Sequence, residues 1–103
     1  MRREVFLSVT AEQQMHSTAE WYALQNPEIA EAWFNGLVAA LESVCDNPEQ
    51  FSFANEAERL GKSFRQMLYG VGQRITHRVL FSVREDRIVV HQIRHVAQDD
   101  VGE

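Results

Sequence analysis

The chain has 103 residues, is 45% hydrophobic and carries a formal net charge of -5. This is the size of one domain, long enough to bury roughly two thirds of its unfolded surface without staples. Its longest unbroken apolar run, Leu37 to Leu41, falls far short of the ~20 residues that span a bilayer, so no membrane association is expected.

At the start, Arg2 and Arg3 lead into a mixed strand pattern rather than an apolar stretch, which argues against a signal peptide. A reducing cytoplasm is the expected compartment. Val5, Leu7 and Val9 alternate with Phe6 and Ser8, the period of a short strand with one buried face. Thr10, with Gln13 three residues later, fits a capping box that opens a helix whose core face carries Met15, Ala19 and Tyr22. Asn26-Pro27 ends that helix, because a residue before proline avoids helical geometry, and starts the next with Asn26 as cap. In the second helix Ala30, Trp33, Phe34, Leu37, Val38, Leu41, Val44 and Cys45 recur at three- and four-residue spacing up to the stop at Asp46-Asn47-Pro48. The short link implies an antiparallel helical hairpin. Cys45, the only cysteine, reads as a small core residue.

Residues 48–61 show no sustained period and read as a loop with a helical turn around Glu56 to Leu60. Three strands follow, Lys62 to Tyr69, Arg74 to Val83 and Arg87 to Val96, joined by turns at Gly70-Val71-Gly72-Gln73 and Arg84-Glu85-Asp86-Arg87. The order is β-α-α-β-β-β, an α+β fold with the helical hairpin on one face of a small, mostly antiparallel sheet. If both hairpins close symmetrically, Tyr69 pairs with Arg74, Met67 with Thr76 and Arg65 with Arg78. In the second hairpin Val83 then pairs with Ile88, Phe81 with Val90, Arg78 with Ile93 and Thr76 with His95. One face collects Phe64, Leu68, Ile75, Val79, Phe81, Val83, Ile88 and Val90 for the helices. The other collects Arg65, Met67, Tyr69, Arg74, Thr76, Arg78, His91, Ile93 and His95, while Arg94 and His77 turn toward the helices.

Charge is segregated in the same way. From Lys62 to His95 seven basic residues face two acidic ones, a formal +5, whereas the rest of the chain carries -10. Like charges directly opposite on a sheet repel, so Arg65 beside Arg78 asks for an anion, from the protein or from a ligand. Arg65, Arg74, Arg78, His91 and His95 are therefore the candidate anion- or target-binding face. His91 and His95 lie four residues apart on a strand, about 13 Å at ~3.3 Å per residue, too far to share a metal ion. His77 reads as a core histidine, and Trp21, Tyr22, Trp33 and Phe34 as core or partner-facing surface rather than a base-stacking platform. No phosphate-binding glycine loop, nucleophile elbow or paired carboxylates are found, and no cofactor or metal is expected.

The segment FRQMLYGVGQRITHRVLFSVREDRIVVHQIRHVAQDD, after two amphipathic helices and the DNPE link, resembles the toxins of the ParE/RelE superfamily, often called plasmid stabilisation proteins. The most specific pieces are Phe64-Arg65, the HRVLF strand with Arg78, and the closing IRHVAQD with His95. The resemblance implies a toxin neutralised by a cognate antitoxin laid over the sheet and helical hairpin. It also implies one of two targets, DNA gyrase for ParE-like members or messenger RNA on the ribosome for RelE-like members. In the RelE-like case Arg65 and Arg78 would hold the phosphate and His95 would be the catalytic base or acid. Against that case stand the single lysine, Lys62, the want of a second proton-transfer group, and Gln98 where many relatives have a basic residue. The sequence therefore favours a toxin that acts by binding, ahead of a nuclease, a non-toxic degenerate member, or an unrelated α+β domain that binds an acidic peptide.

Overall fold

The computed structural model describes residues 3–54 and 64–98. The first strand, β1, runs Glu4–Leu7 and leads directly into helix α1, Val9–Gln25. The cap is Ser8, not Thr10. Its hydroxyl accepts the Ala11 N–H at 3.0 Å and donates to the His91 carbonyl at 2.9 Å, so one side chain both starts the helix and ties it to the sheet. Val9, expected in the strand, is consequently the first helical residue and is exposed.

Asn26 works on both sides of the break. Its N–H closes α1 on the Tyr22 carbonyl at 2.8 Å, and its Oδ1 accepts the Glu28 N–H at 2.9 Å to open α2, Pro27–Val44. Helix α2 buries Ala30, Trp33, Leu37, Leu41 and Val44, with Cys45 just beyond, while Val38 faces solvent despite its apolar character. Helix α1 buries only Ala11 and Met15, so most of its surface is polar. A single 3-10 turn, Pro48–Gln50, follows α2. The helical turn expected at Glu56 to Leu60 lies outside the described residues.

The sheet contains β1, β2 (Arg65–Tyr69), β3 (His77–Val83) and β4 (Arg87–His95) in the order β1-β4-β3-β2. Its antiparallel part is the β2-β3-β4 meander, and β1 adds in parallel to β4, with Glu4 opposite Arg87 and Leu7 opposite Val90. The fold is thus α+β, with the helices on one face of a mostly antiparallel sheet. The core joins Trp33, Leu37, Leu41, Val44 and Met15 from the helices to Met67, Val79, Phe81, Ile88, Val90 and Ile93 from the strands. A smaller cluster, Ala54, Phe64 and Leu80, forms on the reverse face.

The pairing within the meander differs from symmetric closure. Tyr69 stands opposite His77, not Arg74, because seven residues, Gly70 to Thr76, make the connection instead of four. Gly70 makes this loop possible: the Arg74 carbonyl folds back into the space a side chain would fill there, and Gly72 takes φ +71°. A shift of three is odd, so it exchanges the two faces of β2. Met67 and Tyr69 turn toward the helices, Phe64 and Leu68 turn away, and Ile75 and Arg74 stay in the exposed loop.

The second hairpin pairs as expected from Val83–Ile88 to Phe81–Val90, and then a bulge at His91 slips the register by one. Beyond it Arg78 faces Arg94 rather than Ile93, and His95 faces His77 rather than Thr76. Ile93 thereby enters the core, and His95 changes sides.

Candidate functional site

The three residues proposed from sequence as a unit, Arg65, Arg78 and His95, occupy three places. Arg78 is on the face away from the helices, 5% exposed, directly opposite Arg94. The arginine beside Arg78 is therefore Arg94, not Arg65, and Arg94 does not turn toward the helices. Each guanidinium has a glutamine acceptor: Arg78 donates Nε and Nη2 to Gln66 Oε1 at 3.2 and 2.9 Å, and Arg94 donates Nη1 to Gln92 Oε1 at 3.0 Å. An amide oxygen accepts N–H groups without contributing charge, so these bonds hold the planes of the arginines. On the same face His91 Nε2 lies 2.7 Å from Ser82 Oγ, and its ring rests 4.9 Å from that of Phe64. The bulge that changes the register is what points His91 and Gln92 to this side together.

Arg65 belongs to the other surface and the other end. It pairs with Phe81, and its Nη1 donates to the Phe51 carbonyl at 2.6 Å and, more weakly, to the Glu49 carbonyl at 3.4 Å. The guanidinium carbon sits 4.2 Å above the Phe53 ring, a cation–π contact. Phe51 in turn meets Phe81 edge-on at 5.8 Å. Arg65 thus fastens residues 49–53 against β2, while its half-exposed head remains reachable from solvent. Arg74, on the loop after β2, is exposed.

His95 and its partner His77 lie at the opposite end of the helix-facing surface. His77 is buried, as its sequence context implied, with its ring 5.2 Å from Trp33 and 5.1 Å from His95. Its Nδ1 lies 2.7 Å from Thr76 Oγ1. Burial, with a smaller contribution from His95, pushes the His77 pKa down from 6.5 to about 4. His95 stands at the rim, where its Nδ1 accepts the Ala97 N–H at 3.0 Å. From Arg65 to His95 the strands span four residues lengthwise, about 13 Å, and three strands across. No phosphate could touch Arg65, Arg78 and His95 at once, because the sheet itself separates Arg78 from the other two. Among the described residues no cluster of three or more His, Cys, Asp or Glu side chains is placed to hold a metal ion.

The roles of Gln66, Gln92 and Ser82 had no sequence signal. They follow from the loop length and the bulge, neither of which is encoded in a local pattern.

The family model for the ParE toxin of type II toxin-antitoxin system, parDE, matches residues 5–100. No curated protein matches this sequence closely. The family match spans nearly the whole chain, and the chain accordingly belongs to the ParE toxins, which pair with a cognate antitoxin.

Proposed function

We propose that this ParE toxin acts in the cytoplasm by binding DNA gyrase rather than by cutting messenger RNA. The observation that carries the proposal is the dispersal of the basic groups: among the described residues, those that could hold phosphate or transfer a proton are not gathered around one point. Cleavage at a ribose 2'-hydroxyl needs a base, cationic stabilisation of the phosphate and an acid within hydrogen-bond reach of a single centre. Here His95 is separated by the thickness of the sheet from Arg78 and by most of its length from Arg65. A binding surface has no such requirement, since charges spread over a rim still steer and orient a partner.

Among the residues singled out from sequence, Arg74, exposed on the loop after β2, and Arg65, half-exposed at the start of β2, would be the ones to touch a target directly. Arg78 and His91 serve from beneath, holding β2, β3 and β4 in register through Gln66 and Ser82. The antitoxin would cover the free end of the helical hairpin, where Leu24 is 87% exposed and Ile29 also faces solvent.

The test is a supercoiling assay with purified toxin, run beside a ribosome-programmed cleavage assay. Inhibition of supercoiling, relieved by the antitoxin, is the expected result. Codon-specific cleavage that disappears in a His95→Ala variant would overturn the reading, and absence of growth arrest on expression without antitoxin would mark a non-toxic member.

A further inference from the structure

The β1 strand ends at Leu7, but its neighbour β4 continues to His95. The chain turns away at Ser8, so among the described strands the outer edge of the last β4 residues has no neighbour. Helix α1 runs alongside instead. Its Gln14 takes over one backbone position, accepting the Ile93 N–H on Oε1 at 2.6 Å. Between helix and sheet end a cleft of about 720 Å³ remains, floored by Ile93 and His77 and walled by α1. That volume lies within the range of small-molecule sites, ~300–1,000 Å³.

The lining has three properties that narrow the occupant. First, its polar groups carry no formal acid or base other than histidine: α1 contributes Gln13, Gln14, Ser17 and Thr18. Among the described residues of the lining, no carboxylate, lysine or arginine offers a counter-ion to a cation or a strongly charged anion. Second, the hydrogen-bonding capacity is unspent. Gln14 uses its oxygen on Ile93, which leaves both amide hydrogens to donate, and the side chains of Gln13, Ser17 and Thr18 have no partner among the described residues. His95 accepts the Ala97 N–H on Nδ1, which places the hydrogen of the neutral ring on Nε2, so Nε2 acts as a donor. The same tautomer places no lone pair on Nε2 for a metal ion. Third, the mouth holds Trp21, 57% exposed, held edge-on by Tyr22 at 5.2 Å. A large flat aromatic surface left in water beside unspent amides fits a flat polar ring.

We infer that this cleft binds an uncharged nitrogen heterocycle of the nucleobase class, stacked on Trp21 and read on its edge by the Gln13 and Gln14 amides and the His95 Nε2–H. By their spacing Trp21 and Tyr22 read as core or partner-facing surface rather than a base-stacking platform; the end of β1 at Leu7 and the polar cleft beside Trp21 are what give Trp21 a stacking role in this proposal. This site is on the helix side, at the opposite end from Arg65 and across the sheet from Arg78, and the inference does not depend on which target the toxin binds.

The free nucleoside and the unpaired base of a single strand share this chemistry, and one experiment separates them. The full chain is titrated, by heteronuclear NMR, with the four nucleosides, a mixed-sequence single-stranded oligonucleotide, the matching duplex, and N-acetylaspartate as an anionic control. Saturable shifts centred on residues 10–21 and 93–97 are expected with a nucleoside, or with the single strand alone if the base must arrive on a backbone. Trp21→Ala, an exposed position that leaves the core intact, should weaken that binding about tenfold, the scale of one lost base–aromatic stack. Gln13→Ala should weaken it less and change which base is preferred. No saturable shift with any nucleoside or single strand, equal binding of the duplex, preference for N-acetylaspartate, or unchanged affinity in Trp21→Ala would each overturn the inference.

Discussion

Gly36, in the middle of α2, is the residue whose replacement should report most sharply on how helix and sheet are locked. The Tyr69 hydroxyl reaches across from β2 and donates to the Trp33 carbonyl at 2.8 Å. A Cβ at position 36 would collide with that hydroxyl, with the ring carbon behind it 3.4 Å away. Three terms compete in Gly36→Ala. Alanine in a helix interior gains about 1 kcal/mol over glycine. Losing the tyrosine hydrogen bond costs about 1 kcal/mol, and crowding a packed contact costs about 1–3 kcal/mol. The net is a destabilisation of about 2 kcal/mol, against the helix-propensity trend. In Tyr69→Phe the hydroxyl is gone, which alone costs about 1 kcal/mol, but the alanine then meets only a ring edge at ordinary contact distance. The double variant should return to within about 0.5 kcal/mol of the parent, so the two substitutions couple by about 3 kcal/mol. Urea unfolding of the four proteins, followed by far-UV circular dichroism and tryptophan fluorescence, measures the cycle. If Gly36→Ala is as stable as the parent while Tyr69 is present, or if the two changes simply add, the close approach is not what fixes α2 on the sheet.

Further outcomes follow from other contacts. His77 protonates in the unfolded chain near pH 6.5 but in the folded protein only near about 4. The unfolded state therefore binds more protons across that window, and stability falls as pH is lowered from 6.5 to 4; His77→Gln should flatten this slope in pH-dependent urea titrations, and identical slopes would refute the assignment. Ser8→Ala removes both the α1 cap and the tie to His91 and should cost about 2 kcal/mol, with α1 amides gaining hydrogen exchange ahead of those in α2. Arg74→Ala should leave stability within about 0.5 kcal/mol, since the residue is exposed, yet weaken inhibition of gyrase supercoiling. Unchanged inhibition at equal stability would remove Arg74 from the proposed contact surface.

The resemblance to the ParE/RelE superfamily was legible from the order and spacing of short motifs over most of the chain, and the helical hairpin and the identity of most core residues were legible because each rests on a signal confined to a few neighbours. Asn26-Pro27 breaks and restarts a helix by local sterics, and Trp33, Leu37, Leu41 and Val44 declare one face by their spacing. Val79, Phe81, Ile88 and Val90 likewise alternate in strands long enough to show it. The grouping of the site was not legible. Which side of the sheet Arg65, Arg94 and His95 occupy depends on two counts, the seven residues between β2 and β3 and the one extra residue at the His91 bulge. Each is an odd slip, and on a pleated strand every odd slip sends a side chain to the opposite face. Those slips are selected by long-range packing: Gly70 lets the Arg74 carbonyl fold inward, and the slip brings Met67, Tyr69 and Ile93 to the helices. Sequence by itself thus determined the elements, their order and the pool of basic and aromatic groups. Only the tertiary structure decided which of them meet, because a face is a property of pairing, and pairing is settled by the core that both strands must bury together.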